Sequence, residues 1–120
     1  MHTILADPAG PVVLVQYLGN VSVQDRERAL SEVRPLLQMT GLRKILVDFR
    51  GARCVVDGFS RSKALASRLS GDPLLRECRI AYVSDEGSRL NPVVDTLSCA
   101  RGMVFERFPS QDEARTWLEC

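Results

Sequence analysis

Histidine is almost missing from this sequence, with one residue, His2, among 120. That scarcity excludes an imidazole pair for zinc and leaves no general base poised near neutral pH within the body of the chain. His2 itself stands on an end expected to fray. Cysteine is scarce too. Cys54, Cys78, Cys99 and Cys120 are widely spaced and form no CxxC or Cys/His pair. In a reducing compartment the first three read as small buried hydrophobes and Cys120 as an exposed thiol. A GxSxG elbow, a P-loop and a GxGxxG turn are all lacking, so neither a cofactor nor a metal is expected, and the chain does not read as an enzyme. Asp48 and Asp57 could perform acid–base chemistry only if folding made them converge.

An excess of charge is equally absent. Sixteen basic residues face fifteen acidic ones. The two signs balance locally as well, so no basic cluster marks a nucleic-acid surface or a polybasic membrane anchor. The longest apolar runs, Val12-Val13-Leu14-Val15 among them, fall far short of the roughly 20 residues that span a bilayer. Met1-His2-Thr3 lacks the basic start of a signal peptide, and Asp7-Pro8 interrupts the apolar segment that would follow. A cytoplasmic protein with no membrane span is expected.

What is present is an alternation of strands and helices. Thr3–Ala6 reads as a short edge strand, turned at Asp7-Pro8-Ala9-Gly10 into a β-branched strand over Pro11–Leu18. Ser22 is a good N-cap, with Asp25 suited to the positive end of a helix. Leu30, Val33 and Leu37 repeat at helical spacing until Gly41 stops them. Pro35 inside that pattern predicts a kink near Arg34 or two shorter pieces, since an interior proline costs about 3 kcal/mol. Lys44–Phe49 is the central strand, closed by a turn around Arg50-Gly51.

A second helix carries Phe59, Ser62, Leu65, Ala66 and Leu69 on one stripe and ends at Gly71-Asp72-Pro73. Arg79–Ser84 is the next strand. Leu90, Val93, Val94 and Leu97 make the clearest amphipathic helix. Met103–Phe108 is a last strand, and Ser110-Gln111-Asp112-Glu113 is a capping box opening a final helix with Ala114, Trp117 and Leu118 inward. The order β-β-α-β-α-β-α-β-α predicts one small α/β domain over residues 1–120. Its mixed, mostly parallel sheet has about five strands packed by helices.

In such sheets the working groups gather where strands end and loops begin. Asp48 ends a parallel strand and could meet a ligand, or it could bond the backbone amides near Gly51. Arg50 and Arg53 could grip an anion, or pair with Asp48 and Asp57. Asp57 could hold a partner but is more simply a helix cap. Gly58 could admit a phosphate but suits a turn. Ser84 and Asp85 lie on the same sheet edge, where Asp85 and Glu86 suit the first turn of a helix. Trp117 reads as core closure, with an interface as the other reading.

Three stretches resemble the STAS domain group, and in particular its SpoIIAA-like branch, which is also compared with lipid-binding SEC14 domains. They are Ile45-Leu46-Val47-Asp48-Phe49-Arg50-Gly51, Arg79-Ile80-Ala81-Tyr82-Val83, and the ending from Phe105 to Leu118. The resemblance implies a non-catalytic, bacterial protein-interaction and regulatory module. In the phospho-regulated antagonists a serine directly after an aspartate, at the start of the second helix, is phosphorylated. Here that place is Gly58, which cannot be, and Ser60 and Ser62, displaced from it, stay open as phosphorylation sites. The resemblance therefore implies docking without the usual switch, through Asp48, Arg50, Asp57, Gly58, Phe59, Ser60 and Ser62, with Ser84 and Asp85 beside them. A protein partner is expected and a homodimer is open. The second reading is a small apolar or lipid-like ligand held between sheet and helices.

Overall fold

The computed structural model describes residues 2–7, 11–54, 59–84 and 104–119. Five strands form one sheet in the order β1-β2-β3-β4-β5: His2–Asp7, Val12–Val21, Lys44–Cys54, Arg79–Val83 and Val104–Phe108. β1 runs antiparallel to β2, and every other pair is parallel. The hairpin and the parallel core therefore lie as the sequence predicts. Four helices accompany them among the described residues: α1 (Val23–Thr40), α2 (Phe59–Gly71), α3 (Pro73–Arg76) and α4 (Gln111–Glu119). The helix expected around Leu90–Leu97 lies outside the described residues.

Residues alternate across the sheet and divide the core in two. Val13, Val15, Tyr17, Ile45, Val47, Phe49, Ile80 and Tyr82 pack on one face with α1 and α3. Leu46, Ala81 and Val83 face the other way, onto Ala114 and Leu118 of α4. β3 is buried on both faces from Ile45 to Phe49, which is why Ile45-Leu46-Val47 is an apolar run instead of an alternation, with Asp48 the one charged residue inside the buried stretch.

α1 starts at a full capping box: Ser22 accepts from the Asp25 N–H, and the Asp25 carboxylate accepts from the Ser22 N–H at 2.9 Å. Gly41, at φ 73°, closes it by donating to the Leu37 carbonyl at 2.9 Å. Contrary to the expectation of two pieces, the helix continues through Pro35. Burial explains it. Leu30, Val33 and Leu37 on either side are all inside the core. Each contributes roughly 1.5–3 kcal/mol by leaving water, which outweighs about 3 kcal/mol for the proline.

Two further expectations change. β3 extends to Cys54, so Arg50-Gly51 is strand and not turn. After α2 the chain adds α3, with Asp72 as N-cap accepting from the Leu74 N–H at 2.9 Å and Pro73 in the first turn. An aspartate followed by proline is a start signal as well as a stop signal. Arg34 of α1 bridges to Asp72 at 3.0 Å, and Arg68 of α2 donates to Ser31 at 2.9 Å.

Candidate functional site

The candidate site is built on an irregularity in the middle of β3. Against β2, Gln16 faces Asp48 but Leu18 faces Gly51, so β3 carries one residue more than its partner. Such a bulge leaves a backbone amide without its ladder partner and re-aims the strand beyond it. Asp48 supplies what the ladder lacks. Its Oδ1 accepts from the Arg50 N–H at 2.9 Å. The Arg50 guanidinium folds back onto the same carboxylate, with Nη2 2.9 Å from Oδ2 and Nε 3.1 Å from Oδ1. From the far side Gln111, at the start of α4, donates Nε2 to Oδ2 at 2.7 Å.

The Asp48 side chain is 2% exposed while that of Arg50 is 44% exposed. Burial alone would raise the Asp48 pKa. Its bonds to the Arg50 side chain and backbone and to Gln111 outweigh that and hold it below the usual carboxylate value. The result is a charged carboxylate bonded to two elements at once, β3 and α4. Of the two sequence readings for Asp48, the backbone-bonding one describes its contacts. Asp48 does not reach the surface, and its arrangement holds the end of β3 rather than offering a reactive group.

Ser84 is buried as well. It lies just beyond β4, on the edge where Asp48 pairs with Val83, but it is 5% exposed and its N–H donates to the Phe108 carbonyl at 3.1 Å. Arg50 is half-exposed and Arg53 exposed at the end of β3. Phe59, Ser60 and Ser62 fall in the first turn of α2, but their side chains lie outside what the structure describes. Asp57, Gly58 and Asp85 lie outside the described residues. Arg50 thus pairs with Asp48 as the sequence allowed, and Trp117 closes the core against Phe108, with the Arg79 guanidinium 4.3 Å from its ring centre.

The sequence reading missed two features of the opposite face. One is a row of rings that crosses all five strands: His2, Tyr17, Phe49, Tyr82 and Phe105, with successive centres 6.2, 4.8, 6.0 and 5.6 Å apart. His2 is the first residue of β1, and its Nε2 bonds the Glu32 carboxylate, so it has partners that its place in the sequence did not announce. The other is Arg26, a buried guanidinium 5.7 Å from the Phe49 ring centre and 3.5 Å from the Tyr82 hydroxyl. Helical spacing from Ala29, Leu30 and Val33 was the signal that placed it inward. Arg26 and Tyr82 help line a cavity of about 50 Å³ beneath α1.

Cys78 is buried, and burial pushes its thiol up to about 11. That environment makes it inert, as its reading as a small hydrophobe implied. No cluster of metal-binding side chains occurs among the described residues, and no described helix is long and apolar enough to cross a membrane.

No family model matches the chain, and no curated protein matches it either. Solved structures do. An anti-sigma factor antagonist from Mycobacterium paratuberculosis is 16% identical with a TM-score of 0.62, covering 100% of this chain and 96% of its own. SpoIIAA in its unphosphorylated form is 12% identical with a TM-score of 0.62, covering 99% and 98%. An uncharacterised protein of the DUF3478 family from Shewanella loihica is 15% identical with a TM-score of 0.61, covering 98% and 92%, and is itself described as SpoIIAA-like. A mixed five-stranded sheet matched over nearly its whole length by these three proteins has the SpoIIAA-like fold of STAS domains.

Proposed function

We propose that this chain is a non-catalytic regulatory module that works in the cytoplasm by docking on a protein partner. The docking surface is the end of β3 and the start of α2, from Arg50 to Ser62. The observation that carries the reading is the Asp48 carboxylate bonded to both Arg50 and Gln111. It braces the root of this segment against α4, and a loop that presents side chains to a partner loses less entropy on binding when its root is rigid. The fold supports the same reading, since two of its structural neighbours are anti-sigma factor antagonists. Gly58, standing where a phosphorylated serine would be, supports docking that is not switched by phosphate at that position. For a lipid-like ligand the cavity under α1, about 50 Å³, falls well below the roughly 300–1,000 Å³ of ordinary ligand pockets.

The test is affinity capture from the source cells with the wild type and with Arg53→Glu, a substitution at an exposed position. A stoichiometric protein lost from the variant, with unchanged thermal melting, is the expected result. Capture of a small molecule and no protein would overturn the proposal. Phosphate found on Ser60 or Ser62 of protein from those cells, together with release of the partner, would overturn the absence of a switch.

A further inference from the structure

α2 differs from α1 and α4 in its charge. Its sequence, FSRSKALASRLSG, holds Arg61, Lys63 and Arg68 and no acid, whereas the two others mix both signs. Arg61 falls in the first turn, where a cation opposes the helix dipole and where α1 and α4 place acids. Leu65 and Ala66 turn inward onto Val23 of α1, while Lys63, Ala64, Ser67, Arg68 and Gly71 are exposed. At about 100° per residue, Ala64, Ser67 and Gly71 form an outer ridge with Lys63 on one flank and Arg68 on the other. Arg34, Arg43 and Arg50 are each tied to an acid. Among the described residues Lys63 enters no such pair, and Arg68 bonds the neutral hydroxyl of Ser31. Glu27, the acid that α1 brings beside Ala64, is half-buried.

We propose that the protein partner docked on this segment presents an acidic face, whose carboxylates meet Lys63 and Arg68 across the ridge. This rests on the docking reading above and adds the chemistry of what docks. Unmatched cations on a surface steer an oppositely charged partner and repel like-charged ones. They therefore select among partners and speed association more than they add affinity. The same sign attracts nucleic acid, but that class draws on many phosphate contacts and on stacked rings. No described side chain of α2 is aromatic. An anionic membrane takes up large apolar side chains from a helix lying on it, and none is exposed among the described side chains of α2. A protein face fits the ridge, because small side chains let a partner's carboxylates reach both flanks.

Amide NMR of the full chain, titrated with a poly-glutamate peptide and separately with single-stranded DNA of equal length, tests the proposal. The expected result is a set of shifts centred on Lys63 to Gly71 that weakens as salt rises. Lys63→Glu is expected to weaken peptide binding about two- to fivefold, the size of one exposed ion pair, and Arg68→Glu by a similar factor. Lys63→Glu remains informative if Arg68→Glu disturbs the bond to Ser31. Shifts that avoid α2, or DNA binding tighter than the peptide's, overturn the proposal. So do shifts on α2 and α4 that grow with protein concentration alone, which would make the acids of a second copy the occupant. In the capture experiment, a partner lost from both Arg53→Glu and Lys63→Glu is the expected result. A partner lost from Arg53→Glu but held by Lys63→Glu overturns this proposal and leaves the docking reading standing. Capture of a small molecule alone overturns that reading, and this proposal with it.

Discussion

Gln111 and Asp48 are 63 residues apart in the chain and 2.7 Å apart in the fold. The contact joins the first turn of α4 to the bulge of β3, and among the described residues it is the bond that reaches the Asp48 carboxylate from outside β3. Removing it leaves the carboxylate with Arg50 alone. Gln111→Ala is therefore expected to lower stability by about 1.5–3 kcal/mol, the range for a hydrogen bond to a charged group. Gln111→Glu should cost more at neutral pH, because it sets a second carboxylate against the first. The difference between the two variants should shrink in acid. Urea unfolding at neutral and acid pH measures both.

Asp48 also makes the stability of the fold depend on pH in acid. Its folded pKa lies below the ordinary aspartate value, so the unfolded chain binds its proton at higher pH than the native state does. The stability this confers is fully present above the unfolded pKa and is lost as pH falls through the folded one. Asp48→Asn is expected to be less stable than wild type at neutral pH by about 2–3 kcal/mol. Its unfolding curve should flatten between neutral pH and acid where that of the wild type falls. A wild-type profile no steeper than the variant's would contradict the assignment.

Pro35 is tolerated in α1 and is not required by it. It is exposed, and the turn that it weakens is held by Leu30, Val33 and Leu37. Pro35→Ala restores one amide and is expected to raise stability by about 2 kcal/mol. That value is the interior cost of proline less the entropy regained by a freer unfolded chain. Thermal melting reads it directly.

Two glycines should behave oppositely. Gly41 caps α1 at φ 73°, so Gly41→Ala forces a side chain into the left-handed region at about 1 kcal/mol. Gly51 has no such constraint. A Cβ there meets only Leu18 Cδ2 closely, at 2.7 Å, and Leu18 is 43% exposed and can move. Gly51→Ala is expected to change stability by less than about 0.5 kcal/mol. Chemical denaturation of the pair separates backbone strain from a steric contact.

The fold was legible where local chemistry and burial agree. Ser22 with Asp25, Gly41, and the apolar run Ile45–Val47 each specify one structure whatever surrounds them. Reading failed where a distant partner decides. Nothing near Asp48 in sequence announces Gln111, and an aspartate before Arg50-Gly51 signals a turn as readily as a bulge. Pro35 failed for a related reason, since its local cost is offset by side chains that pack on strands far along the chain. Ser84 was placed beside the candidate surface because it follows a strand on the same sheet edge, and nothing near it in sequence announces that it is buried with its N–H bonded to Phe108 of β5. Arg26 is the reverse case: spacing alone put it on the inward face, and its charge obscured that signal.

The distribution of rings has an optical consequence. Tyr17 and Tyr82 are the only tyrosines in the chain, and both sit in the row beneath α1, whereas the sole tryptophan, Trp117, packs on the other face with Phe108 and Arg79. The two layers of the molecule therefore carry different chromophores. Tyrosine signals in near-ultraviolet dichroism follow the α1 side. Tryptophan emission follows the docking of α4, so unlatching of the terminal helix can be watched separately from loss of the main core, with no label added.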